Sequence, residues 1–123
     1  MSSKASLTAL VREHLEIAGR VSSGRSAHTV YGGHEHVLRQ TLIALAAGRD
    51  LGEHDSPGEA TVHVLHGRVR LTAGDLAWEG SAGDLLVAPQ ERHGLSALVD
   101  SAVLLTVGAR RRRDAPTGTT PPN

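Results

Sequence analysis

The side chains able to do chemistry in this 123-residue chain are mainly imidazoles, eight of them, against no cysteine at all. Imidazole exchanges a proton near neutral pH and, when neutral, donates a nitrogen lone pair to transition metals. Acid–base catalysis and metal binding are therefore the chemistries open to the set, while thiolate catalysis, zinc–thiolate sites and disulfides are closed. Spacing sorts the histidines. His34 and His36 are two apart, so on one extended strand both rings would lie on one side. His54 and Ser56 stand in the same relation, yet no acidic residue is spaced to orient the ring for nucleophilic attack, and Ser56 reads as pocket lining. His63 and His66 are three apart, fall on opposite faces of a strand and cannot serve one cavity. His14 lies on the apolar side of a helical stretch and reads as a packed structural histidine, and His28 opens a short strand.

The elements that must position these groups follow from the apolar periodicity. Leu7, Leu10, Val11, Leu15 and Ala18 recur at helical spacing behind Ser6, a capping residue type, which predicts a helix over about 6–19 and a Ser/Gly-rich connector to residue 26. Residues 27–31 form a short strand, Gly32-Gly33 a tight turn, and 34–46 a long strand with apolar residues on both faces. One face carries His34, His36, Leu38, Gln40, Leu42 and Ala44; the other carries Val37, Arg39, Thr41, Ile43 and Leu45. Such a strand needs a barrel interior on one side and a helix or second subunit on the other, so a homodimer is expected. Further short strands near 61–65, 68–71, 76–79, 85–88, 94–98 and 102–108 are separated by turn signals, the spacing of an all-β sandwich or barrel.

Two stretches give this pattern a family resemblance. Gly48, His54 and Gly67 match the first motif of the cupins, in which a glycine precedes His-x-His, a glutamate and a second glycine; Ser56 replaces the second histidine and Ala60 the glutamate. Gly83, Pro89 and His93 match the second motif, with the glycine after the proline replaced and the histidine one residue early. The resemblance covers about residues 38–108 and implies the double-sheet jelly roll, an RmlC-like barrel over 27–109 with an N-terminal helix and connector over 1–26. It also implies that His54 and His93 are what remains of a metal-ligand set, with Gln40 as a candidate third ligand. Leu42, Val62, Val64 and Ser56 are then expected to line the cavity. Glu59 falls one residue before the family's glutamate, and alternation points it away. A metal held by such nitrogen-rich ligands would be zinc, iron, nickel or copper.

Two functions are consistent with these residues. One is a small-molecule-binding cupin, an enzyme if His54 and His93 act as metal ligands or acid–base groups; the other is a metal-free sensor or accessory module that binds an effector or partner protein. Lys plus Arg equals Asp plus Glu, 13 each, so no global field attracts nucleic acid or an anionic membrane. Tyr31 and Trp78 are the only aromatic residues, which leaves the core to Leu, Val, Ala and Ile and provides no base-stacking platform. The N-terminus lacks a signal-peptide apolar run, and a cytoplasmic protein is expected. Arg110 to Asn123 is polar, proline-containing and aperiodic, and is expected to be a disordered tail.

Overall fold

The computed structural model describes residues 3–55 and 58–109. The expected tail and Ser56 lie outside them. Helix α1 (Leu7–Arg20) is followed by nine strands: β1 (Arg25–Tyr31), β2 (Leu38–Leu45), β3 (Asp50–His54), β4 (Gly58–His66), β5 (Arg68–Ala73), β6 (Leu76–Ser81), β7 (Leu85–Ala88), β8 (His93–Ala97) and β9 (Ser101–Ala109). They form a five-stranded sheet, β1-β2-β9-β4-β7, facing a four-stranded one, β3-β8-β5-β6. Every pairing is antiparallel, and the order is that of a jelly roll.

Alternation fills the space between the sheets. Ile43 and Leu45 of β2, Val62 and Val64 of β4, Val69 and Leu71 of β5, Leu95 and Ala97 of β8 and Val103 of β9 form one buried cluster. Each Val or Leu buried there contributes about 1.5–3 kcal/mol relative to exposure. This decides which face of β2 is interior: that of Arg39, Thr41, Ile43 and Leu45. The opposite face is covered by α1, where Ala18 packs on Ala44 and Ala102 with Val11 and Leu15 around them. The helix begins at Ser6, whose Oγ accepts from the Ala9 amide at 3.2 Å, and its His14 is buried with Nδ1 2.5 Å from Ser26 Oγ and its ring 5.4 Å from that of His28.

Two expectations change. The predicted strand over 34–46 begins only at Leu38, because the chain turns at His34 and Glu35 and the His36 amide donates back to the Gly33 carbonyl at 3.0 Å. His34 and His36 thus share no strand face with Gln40. The second apolar face of β2, which called for a helix or a second subunit, is covered by α1.

The strand directions gather the connections 32–37, 74–75 and 89–92 at one end of the barrel, beside Asp55 and the C-terminal end of β9. We call this end the mouth. Residues 46–49, Gly67, 82–84 and 98–100 close the other. Gly48 and Gly67 both have φ of +83°, and a Cβ on Gly67 would overlap the Asp100 carbonyl and Ser101 Oγ, so glycine is needed there for conformation and for space.

Candidate functional site at the barrel mouth

His93 begins β8, two residues before Leu95 and four before Ala97, both in the intersheet cluster; the same parity turns its ring inward, and it is 4% exposed. His54 ends β3. In an unbroken ladder, Leu51 opposite Leu95 would place Glu53 opposite His93. Instead the register shifts between Leu51 and His54, and His54 is the residue paired with His93. This bulge spends one extra residue of β3 and re-aims the strand end, exchanging a carboxylate for an imidazole on the interior side.

The two rings meet edge to face, centroids 4.8 Å apart. His93 Nδ1 lies 2.9 Å from the Glu91 carbonyl and His54 Nδ1 lies 3.3 Å from the Gly52 carbonyl. A carbonyl oxygen only accepts, so each Nδ1 carries the proton and each Nε2 presents a lone pair. Backbone carbonyls thereby fix the tautomer of both rings. One ring is buried and the other exposed, so the pair runs from the rim into the barrel.

Around them the rim is cross-linked by Arg92, which reaches Asp55 Oδ1 at 3.4 Å, Glu53 Oε1 at 3.7 Å and the Glu53 carbonyl at 3.3 Å. These groups are more than half exposed, and such pairs contribute about 0–1 kcal/mol each. Their effect is to hold Glu53 and Asp55 outside the mouth.

On the facing sheet, the register Arg39–Val107 and Val107–Ala60 puts three residues in one layer at this end. Ala60 is buried in the intersheet cluster, so the position where the resemblance expects a glutamate does face inward and holds a methyl group. Val62 and Val64 follow it into the packed core. Glu59 is exposed. Arg39, on the interior face of β2, was assigned no role from sequence. Its Nε is buried and makes no hydrogen bond, an arrangement that costs roughly 1–3 kcal/mol for a polar donor.

Gln40 and Leu42 do not line this site. Their parity turns them to the outer, helix-covered side of β2: Gln40 Nε2 donates to Thr106 Oγ1 at 3.2 Å, and Leu42 pairs with Leu104 beneath α1. Gln40 instead borders a separate outer groove of about 830 Å³ with Tyr31, His36 and Leu38. No group of three or more His, Cys, Asp or Glu side chains able to hold a metal occurs among the described residues. With Gln40 turned away and Ala60 in the carboxylate position, the described donors are two imidazoles, one short of the three protein ligands usual in catalytic sites.

Comparison with known proteins agrees with this architecture. No family model and no curated protein sequence matches the chain. Among solved structures it is similar to a conserved protein of unknown function from Streptococcus pyogenes (26% identity, TM-score 0.67, covering 74% of this chain and 79% of that one). It is also similar to an RmlC-like cupin protein from Desulfovibrio desulfuricans (27%, 0.60, 68% and 81%) and to KdgF from Halomonas sp. (24%, 0.63, 76% and 86%). The chain has the jelly-roll fold of the RmlC-like cupins. No helix among the described residues is long and apolar enough to cross a membrane.

Proposed function

We propose that the chain is a small-molecule-binding cupin that works at the barrel mouth through the Nε2 atoms of His54 and His93, without a resident transition metal. The observation that carries this reading is the paired rings, both with Nδ1 committed to backbone carbonyls. Such a pair accepts hydrogen bonds from a ligand hydroxyl, and a lone pair so placed is the group that general base chemistry requires. Beyond the pair, the barrel interior is aliphatic, with Leu51, Leu86 and Leu105 packed against the intersheet core, and an apolar surround with sparse convergent polar groups is the usual makeup of a ligand site.

A sensor that binds without turnover is the second reading, favoured by the methyl group of Ala60 where a ligand carboxylate would face inward. Elemental analysis of untagged protein, purified without chelator and then offered zinc, iron, nickel and copper, tests the metal-free claim. Less than a tenth of an equivalent is expected; about one equivalent, lost in His54→Ala, would overturn it. Substrate turnover that depends on His93 separates the enzyme from the sensor.

A further inference from the structure

Arg39 carries at its Nε a buried donor that no hydrogen bond at the mouth satisfies. It stands on the interior face of β2, in line with Ile43 and Leu45, at the end where His54 and His93 meet. Its Nε is the buried side-chain nitrogen or oxygen left without a hydrogen bond among the described residues. Arginine cannot relieve this by losing its proton, as a buried lysine or histidine would. The other cation at the rim, Arg92, is already engaged by Glu53 and Asp55. A guanidinium presents its donors in a planar fork that matches a carboxylate two bonds at a time. The imidazoles offer the complementary function, two Nε2 lone pairs that take a donor hydrogen.

We infer that the mouth is a binding site for a small hydroxycarboxylate, with the carboxylate held by Arg39 and the hydroxyl directed to the Nε2 atoms of His54 and His93. Arg39 selects charge, and the two histidines select a donor beside it. Thr41, partly buried, is the next inward-facing position below Arg39 on β2. The assignment deepens the proposed cavity function and rests on it.

The test is an NMR titration of the full chain, nitrogen-labelled, with glycolate, lactate, malate and gluconate, alongside lactamide, which keeps the hydroxyl and lacks the charge, and inorganic phosphate. The acids are expected to shift the Arg39 Nε–H signal together with the His54 and His93 ring signals. Lactamide should bind at least tenfold more weakly than lactate. Arg39→Met should weaken lactate at least tenfold and Arg39→Lys by less. The melting temperature of Arg39→Met should be no lower than that of the parent, a result that a purely structural arginine would not give. If lactamide and lactate shift the histidines alike and Arg39→Met binds both normally, the inference fails and the cavity reading stands. If phosphate binds as tightly as the acids and equally depends on Arg39, the site is a general oxyanion site and the carboxylate assignment fails. If no compound moves any of these signals, both readings fall.

Discussion

The two ends of the barrel are made from the same strands and treat buried polar groups in opposite ways. At the closed end, Ser101 is 1% exposed and its Oγ is fully used: it accepts from the Arg68 amide at 3.0 Å and faces the carbonyls of Arg68 and Val99 at 3.0 and 2.7 Å. Gly67 presses against it with no room for a Cβ. At the mouth, Arg39 Nε is buried with no acceptor, and two imidazoles show free lone pairs. Saturated polar groups rigidify a fold, whereas unsaturated ones hold binding capacity at a cost in stability. The contrast distinguishes the polar groups that build this protein from those available to a ligand.

Substitutions at the closed end should therefore destabilise without touching recognition, and those at the mouth should do the reverse. The largest effect is expected for Gly67→Val, where a positive φ and overlap with Asp100 and Ser101 combine. It should lower the unfolding free energy by about 3 kcal/mol or more in urea titrations. A loss under ~1 kcal/mol would show that the closed end yields easily. Ser101→Ala removes the acceptor of the Arg68 amide, while the Arg68 carbonyl keeps the Leu98 amide at 2.9 Å, and should cost roughly 1–2 kcal/mol by the same assay, with ligand binding by the folded fraction unchanged.

Arg39→Met is the mirror case. It removes an unpartnered buried donor and should leave stability level or raise it by up to about 1 kcal/mol; a clear drop would mean that the mouth is structurally saturated after all. Smallest is the exposed pair on the outer sheet, Arg70 and Glu79. The hydrogen bond from Arg70, at 2.6 Å, holds the Glu79 carboxyl below its ordinary 4.5. Its stabilisation is present above that value and disappears as pH falls through the lower folded one. Glu79→Gln should thus reduce the melting temperature slightly at neutral pH, and the difference from the parent should vanish in acid.

Much of this architecture was legible in the residues themselves. Ser6 and the spacing from Leu7 to Ala18 marked the helix, alternation and turn residues marked the strands, and Gly48, Gly67, Gly83 and Pro89 marked the jelly-roll corners. These signals are local: capping, periodicity and positive φ act within a few residues. His54 and His93 also stood out, through motif spacing, and the structure brings them together.

What the sequence could not assign was sidedness. Alternation separates the faces of β2 but does not say which is inside when both are apolar, and Gln40 and Leu42 were placed on the interior until the packing of α1 claimed their side. The same choice hid Arg39. The bulge that exchanges Glu53 for His54 opposite His93 depends on β8, which lies about forty residues away in the chain. The turn at His34 and Glu35, which withdraws His36 from β2, likewise depends on a loop closing back on Gly33. Composition and period determined that this chain would form a two-sheet barrel with a helix against it. Only the long-range pairing of strands decided which side chains face the cavity, because a shift of one residue in register turns each side chain to the other face.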